Sequence, residues 1–175
     1  MNPAGPAANL ATFLAHAHAI EVDAAERYGL LRDQMAVHNN PAVAGLFAKL
    51  AEIEGRHASQ IAAAARNNGI ALADLAPWDF TWPGFEPPES TPLEAVHHLT
   101  TAFEALALAL RNEQAAEHFF RTIADQATDI EIQTQAAEFA ADETEHVRLV
   151  EAWIERLPGE RTPPTDDLDL PMPQD

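Results

Sequence analysis

Two pairs of residues in the chain have the types and the spacing of metal ligands. They are Glu54 with His57 and Glu143 with His146, each in a Glu-x-x-His sequence. Residues three apart lie on one face of a helix, about one turn from each other, so both side chains of a pair can reach one ion. About one such match is expected by chance in a chain with 17 glutamates and 8 histidines. The case for a site therefore depends on further residues and on their order.

Two single glutamates, Glu21 and Glu113, fall on the inward-facing stripes of other helical segments, and alanines surround both. A buried carboxylate without a partner costs several kcal/mol, and four that converge in one core would repel each other. Two divalent cations would remove this cost, and oxygen and imidazole ligands suit iron or manganese. The four glutamates and two histidines therefore predict a two-metal site.

The order of these residues is the same in both halves of the chain: a single glutamate, a short turn, and then Glu-x-x-His. Glu21 precedes Glu54, and Glu113 precedes Glu143, by nearly the same length of chain. Two antiparallel helices joined by a short turn place such residues at similar heights. We interpret the halves as a duplicated helical hairpin with the ligands around a pseudo-two-fold axis. A third Glu-x-x-His match begins at Glu94, which we interpret as part of a helix start.

Four long segments have hydrophobic residues at steps of three and four, which predicts four helices. A segment rich in tryptophan, phenylalanine and proline separates the second from the third. It is long enough to run the length of a bundle, so those two helices can be parallel. Thr91 with Glu94, and Thr128 with Glu131, predict capping boxes at the last two helix starts. The predicted helices cover residues 7–38, 41–68, 92–127 and 129–157, with the crossover at 70–90.

Composition excludes several classes of function. The formal net charge of −18 argues against a nucleic-acid backbone or anionic lipid as a partner. The absence of cysteine excludes disulfides, thiolate nucleophiles and cysteine-ligated metals. No apolar run is long enough to span a membrane, and no signal peptide is apparent, so we expect a cytoplasmic protein. We expect one domain over residues 1–158 and a disordered, acidic, proline-rich tail over 159–175.

The segment 10–157 resembles the ferritin-like superfamily and, within it, the rubrerythrins. The matching sequences are Glu21-Val-Asp-Ala-Ala-Glu-Arg-Tyr28, Glu54-Gly-Arg-His57, Glu113-Gln-Ala-Ala-Glu-His-Phe-Phe120 and Asp142-Glu143-Thr-Glu-His146. The resemblance implies an all-α, ferritin-like four-helix bundle with a long crossover between helices 2 and 3. It also implies a di-iron centre within that bundle, although manganese or a mixed iron–manganese centre would use the same ligand types.

The resemblance also implies a role for each matching residue. Glu54 and Glu143 would bridge the metals, and Glu21 and Glu113 would be terminal ligands. His57 and His146 would each bind one metal. Asp142 resembles the acid that orients the imidazole on the opposite helix, and Tyr28 resembles the family's buried phenol beside the ligands.

Two departures from the rubrerythrins bear on the expected activity. Leu110 stands where rubrerythrins usually carry an extra glutamate, three residues before the ligand of the third helix. The cysteine-ligated iron domain that delivers electrons in that family is absent from this sequence. The predicted ligand set is therefore similar to the six-ligand sets of ferritins and bacterioferritins.

These features predict a di-iron oxidoreductase that oxidises Fe(II) with O2 or hydrogen peroxide, or reduces peroxide with an unidentified electron donor. The alternative is a non-catalytic module that buffers or delivers iron, docking a partner through its acidic tail. A third reading is a structural bundle with fortuitous Glu-x-x-His pairs. By resemblance, we expect a homodimer or a higher homo-oligomer.

Other polar and aromatic residues have both a functional and a structural interpretation. Glu117 is either a spare ligand or a solvated side chain, and His18 either faces the site or is a partly exposed helix residue. We favour the second option for both. Trp78 and Trp82 are interpreted as loop anchors rather than as an access route. The remaining histidines interpreted as surface residues are His16, His38, His98 and His118.

Overall fold

The protein is all-α, as predicted. A computed structural model describes residues 5–84 and 86–157, and no strand occurs among them. The long helices are α1 (Leu10–Val37), α2 (Pro41–Asn67), α3 (Ala102–Gln126) and α4 (Ile130–Glu155). Two short 3-10 turns, Pro77–Asp79 and Leu93–Ala95, lie in the long connection between α2 and α3.

The four helices run up, down, down and up. Near one end of the bundle, Phe13 of α1 and Ile132 of α4 belong to the same apolar cluster as Ala65 of α2 and Ile123 of α3. The first two residues lie near the starts of their helices, and the other two lie near the ends. Helices α2 and α3 are therefore parallel, which the long crossover permits.

The apolar core is divided into two clusters along the bundle axis. One cluster contains Phe13 and Phe120, and the other contains Tyr28 and Phe47. Each long helix contributes one buried glutamate between its residues in the two clusters. This level, which we call the carboxylate layer, consists of Glu21, Glu54, Glu113 and Glu143.

Turn residues fix the short connections. Asn40 caps α2, since its side chain accepts a hydrogen bond from the Val43 N–H at 3.3 Å, and Pro41 occupies the first turn. Asn39 before it has φ of 56°, and Gly69 after α2 has φ of 69°. These left-handed conformations allow the chain to leave one helix and turn sharply.

Helix α3 starts ten residues later than its sequence predicts. The capping box is Thr101 with Glu104, and Thr91 instead accepts a hydrogen bond from the buried Asn112 amide. The intervening segment lies across the α1–α2 turn, because Gln34 donates to the Val96 carbonyl at 2.6 Å and Asn40 donates to the Thr100 carbonyl at 2.7 Å. These tertiary contacts hold the segment out of the helix despite a local start signal.

Helix α4 begins at a different cap from the predicted one. Asp129, rather than Thr128, accepts hydrogen bonds from the N–H groups of Glu131 and Ile132. None of the helices in the described part of the chain has the length and apolar character needed to cross a bilayer. The predicted tail, 159–175, lies outside the described residues.

Candidate metal centre

The carboxylate layer is almost completely shielded from solvent. The exposed fractions are 3 % for Glu21, 0 % for Glu54, and 1 % for both Glu113 and Glu143. Each residue comes from a different helix, and each falls where the apolar stripe of its helix should continue. Four acidic side chains at the centre of a small bundle are unfavourable without compensating positive charge.

Two imidazoles lie beside the layer, and each turns its Nδ1 atom towards the carboxylates. His146 Nδ1 is 3.2 Å from Glu143 Oε2 and 3.3 Å from Glu113 Oε2. His57 Nδ1 is 3.9 Å from Glu21 Oε2. The two rings are adjacent, with centroids 4.5 Å apart. The side chains of His57 and His146 are 23 % and 13 % exposed, so the histidines form the outer side of the site.

Three sets of side chains offer ligand atoms within 4.8 Å of one another, as a shared ion requires. The sets are Glu54, His57 and His146; Glu113, Glu143 and His146; and Glu21, Glu54 and Glu89. Glu54 and His146 each take part in two sets. All six residues predicted as ligands thus lie at one place in the bundle.

Unpaired oxygen atoms show that the site suits metal cations. Within the described part of the chain, Glu54 has both carboxylate oxygens buried without a hydrogen-bond partner, and Glu21 and Glu113 each have one such oxygen. Buried polar atoms are rarely left unsatisfied, and carboxylate oxygens accept only hydrogen bonds or cations. Carboxylates and imidazoles are the donor set of iron and manganese sites, so these residues fit a two-metal cluster.

Burial raises the pKa values of Glu21, Glu54 and Glu143. It raises the pKa of Glu54 to about 8, with a further contribution from the charge of Glu113. The pKa of Glu143 rises to about 7, again chiefly through burial, although the bond to His146 opposes the change. Burial and the charges of Glu143 and Glu54 hold the pKa of Glu21 well above its usual range. Without a cation, the layer therefore retains protons near neutral pH.

The two histidines have opposite pKa changes. Burial, with the neighbouring His146 charge, lowers the pKa of His57 to about 4. Burial would also lower the pKa of His146, but the carboxylates of Glu113 and Glu143, at 3.3 Å and 3.2 Å from its Nδ1 atom, outweigh that effect and raise the pKa to about 11. The metal-free site is thus expected to hold one charged and one neutral imidazole.

Tyr28 is fully buried beside the layer, where its hydroxyl accepts a hydrogen bond from Asn112 Nδ2 at 3.1 Å. Burial and the nearby glutamate charges raise its pKa well above the usual value, so the phenol stays protonated. Asn112 was not predicted from the sequence. A polar residue one position before a predicted ligand on a buried stripe would have been the signal for it.

Asp142, predicted to orient an imidazole, is exposed. It lines the same cleft as His57 and Glu143, a space of about 240 Å3 that opens between α2 and α4. The hydrogen bonds of the described residues include none from Asp142 to either imidazole. The role of Asp142 in orienting His57 therefore stays a prediction.

Sequence reasoning missed Glu89 as a site residue. It belongs to the crossover, yet it is 1 % exposed, and a carboxylate oxygen lies within 4.8 Å of ligand atoms of Glu21 and Glu54. The sequence around Glu89 has no helical pattern of hydrophobic residues from which its burial could be predicted. A single glutamate in an acidic, proline-rich segment also looks like any solvent-exposed residue. Only the length and aromatic content of the crossover indicated that it lies against the bundle.

Glu117 and His18, the two residues with an open interpretation, belong to none of the ligand sets. Glu117 pairs with Arg121 at 2.5 Å and accepts a hydrogen bond from Thr144 at 2.7 Å. His18 is half-buried in a groove beside Ala58.

The prediction that His16 is a surface residue is wrong. His16 is fully buried; its Nδ1 bonds the Thr12 carbonyl at 2.8 Å, and its Nε2 accepts from the Thr81 N–H at 3.2 Å. Its ring packs against Phe80 and Trp82. It therefore anchors the crossover to α1 and lies apart from the metal ligands.

Comparison with known proteins identifies the family. The rubrerythrin family model matches residues 12–101, which include Glu21, Glu54 and His57. The crystal structure of an uncharacterised conserved protein from Magnetospirillum magnetotacticum MS-1 is similar, with a TM-score of 0.65 and 35 % sequence identity. The similarity covers 89 % of this chain and 99 % of that one. No curated protein matches the sequence. These matches agree with the carboxylate layer and its two adjacent histidines in a four-helix bundle. The chain therefore belongs to the rubrerythrin family of ferritin-like, di-iron carboxylate proteins.

Proposed function

We propose that the protein is a di-iron oxidoreductase that oxidises Fe(II) with O2 or hydrogen peroxide, or reduces peroxide. The observation that carries this proposal is the set of buried glutamate oxygens without partners, gathered around two imidazole Nδ1 atoms. We propose Glu21, Glu54, His57, Glu113, Glu143 and His146 as the metal ligands. Two bound iron ions would supply one electron each, enough with two protons to reduce a peroxide to two waters.

The cleft between α2 and α4 supports access by small, cationic or uncharged substrates. Its volume of about 240 Å3 suits Fe(II), O2 or peroxide better than a large organic molecule. The exposed Glu138 and Asp142 line it, and Glu21 and Glu143 lie at its inner end. Negative charge along such a route attracts a ferrous ion and disfavours anionic substrates.

Residues around the layer have roles that do not depend on the identity of the substrate. The apolar clusters on both sides exclude water, which strengthens the interactions between the carboxylates and cations. Tyr28, held by Asn112, presents a protonated phenol beside the site. We propose that it stabilises negative charge there and that Asp142, at the cleft, orients His57.

The decisive experiment is aerobic addition of Fe(II) to metal-free protein, with iron content and oxygen consumption followed together. We expect saturation at about two iron ions per chain, as a two-metal site requires, and oxidation faster than that of free Fe(II). The Glu143→Gln variant should lose both properties, and Glu145→Gln, an exposed neighbour on the same helix, should keep them. Binding without a defined stoichiometry would contradict the proposal.

The same experiment separates oxidation from metal buffering. A module that only stores or delivers iron would bind about two ions per chain but would not accelerate oxidation by O2 or by peroxide. Partner docking through residues 159–175 belongs to that alternative. Removing those residues would then abolish association and leave metal binding unchanged.

A further inference from the structure

We infer that Glu89, from the crossover, is a seventh ligand of the metal centre and binds the ion on the side of α1 and α2. This inference rests on the proposed metal site and adds a residue outside the helices that carry the other six ligands. It assigns the crossover a direct part in coordination.

The position of Glu89 supports ligation. Its side chain is 1 % exposed, and both carboxylate oxygens are buried without a hydrogen-bond partner in residues 5–84 and 86–157. A carboxylate oxygen lies within 4.8 Å of ligand atoms of Glu21 and Glu54, so the three can share one ion. A buried carboxylate that approaches two others without any donor is expected only where a cation is bound.

The backbone around Glu89 is anchored so that the side chain enters the bundle. The Ser90 N–H donates to the Pro87 carbonyl at 3.1 Å, which closes a tight turn around Glu89. Asn112 Nδ2 of α3 donates to the Glu89 carbonyl at 3.0 Å. The Ser90 hydroxyl donates to Asp23 of α1 at 2.5 Å. The turn is thereby held against two helices, which fixes the carboxylate over the layer.

Among the residues that the structure describes, no side chain near this turn supplies the missing positive charge. Arg27, one turn after Asp23, lies 3.7 Å from that carboxylate and 3.6 Å from the exposed Glu86. His57 turns its Nδ1 towards Glu21 rather than towards Glu89. The carboxylate oxygens of Glu89 are thus available to a metal ion.

Glu89 also makes the two metal positions unequal. It groups with Glu21 and Glu54, whereas Glu113, Glu143 and His146 form the set on the other side. With Glu89 the site has five carboxylates against the four positive charges of two divalent ions. The ion beside α1 and α2 would have the larger share of negative ligands, and we expect it to bind more tightly because of Glu89.

The test is titration of the metal-free, full-length protein with Mn2+, in which the electron paramagnetic resonance signal counts the free ion. We expect the unaltered protein and the Glu94→Gln control to bind two ions per chain. Glu94 lies in the same crossover and is exposed. Glu89→Gln should bind one ion normally and the other about tenfold more weakly or worse. Loss of a residue that only hydrogen-bonds to a ligand already lowers metal affinity by about tenfold, and a ligand should matter at least as much.

The outcomes separate two claims, the role of Glu89 as a ligand and the presence of a two-metal site. An isotherm of Glu89→Gln identical to that of the unaltered protein would overturn the role of Glu89 and leave the metal site intact. Failure of the unaltered protein to bind Mn2+ with a defined stoichiometry would overturn both. If the glutamine variant does not fold, Glu89→Asp keeps the charge but withdraws the oxygens by one methylene, and the same selective weakening is expected.

Discussion

At Glu54, both carboxylate oxygens are buried without partners, and burial raises the pKa of the side chain to about 8. Its helix places it between Leu50 of one apolar cluster and Ala58 on the other side of the layer. An apolar residue would be more favourable at this position in a metal-free protein. The glutamate therefore stabilises the fold only when a cation is bound.

Replacing Glu54 with glutamine should have opposite effects on the metal-free and metal-bound protein. Without metal, burial forces Glu54 to keep a proton that the unfolded chain releases near neutral pH. Glutamine avoids this cost, so the change should raise the melting temperature. With Mn2+ present, it removes a ligand and should lower the melting temperature relative to the unaltered protein. Thermal melts with and without Mn2+ would measure both, with exposed Glu52→Gln as the unchanged control. A loss of stability in both conditions would contradict this interpretation.

The metal-free protein should lose stability as pH rises from about 6.5 to 8. Glu54 and Glu143 have folded-state pKa values of about 8 and 7, above the unfolded value of 4.5, so the folded state holds protons that the unfolded state has released. His146, raised to about 11 from 6.5, acts in the same direction. His57, lowered to about 4, acts oppositely, but only below pH 6.5.

Urea denaturation in the presence of a chelator would measure this slope. Saturating Mn2+ is the control, because ligation displaces the protons and should reverse or flatten the dependence. Stability that increases from pH 6.5 to 8 in the metal-free protein would contradict the assigned pKa changes.

The sequence predicts the helical ligands because helical spacing constrains them. A glutamate on a stripe of alanine and leucine, repeated in four helices, departs from the pattern that a core alone would produce. Glu89 and His16 do not follow from any such pattern. The surroundings of both are set by contacts with distant parts of the chain, with Asn112 and Thr81 respectively.

At the scale of elements, the crossover is a structural part of the site rather than a tether. His16 anchors its first half beside Trp82, and Asn112 anchors its second half through the Glu89 carbonyl and the Thr91 hydroxyl. These contacts also explain the late start of α3. Thr91 does not cap a helix because its buried hydroxyl accepts a hydrogen bond from Asn112 instead.

Replacing Asn112 with alanine should release the second half of the crossover. The change leaves the Glu89 carbonyl and the Thr91 hydroxyl without their buried donor, which should lower the free energy of unfolding by about 1–3 kcal/mol. Denaturant unfolding would measure the loss. The control is Asn68→Ala, which removes an exposed amide that donates to the Ala64 carbonyl. A smaller loss at Asn112 than at Asn68 would show that the crossover is held by other contacts.

At the scale of the whole molecule, each hairpin supplies half of the six helical residues that we propose as ligands. The α1–α2 hairpin contributes Glu21, Glu54 and His57, and the α3–α4 hairpin contributes Glu113, Glu143 and His146. Bound cations would therefore join two units whose direct contact at this level consists of mutually repelling carboxylates. The duplicated order of ligands along the sequence predicted this division between the hairpins.

Metal loading should stabilise both hairpins together. A hundredfold excess of free metal over its dissociation constant adds about 2.7 kcal/mol for each ion that binds only the folded state. Hydrogen exchange with and without Mn2+ should show slower exchange at the levels of Glu21, Glu54, Glu113 and Glu143 in all four helices. Slower exchange in one hairpin alone would indicate that the ions do not join the two.

The carboxylate layer also bears on how a newly made chain matures. Each hairpin consists of neighbours in sequence and can form quickly, but docking the two hairpins buries carboxyl groups, which is costly without a cation. The final docking step should therefore wait for cations, so the supply of metal would set how long apolar surface stays open to proteases and to aggregation. A cell short of the metal that fills this site would, on this basis, accumulate less of the protein even with its synthesis unchanged.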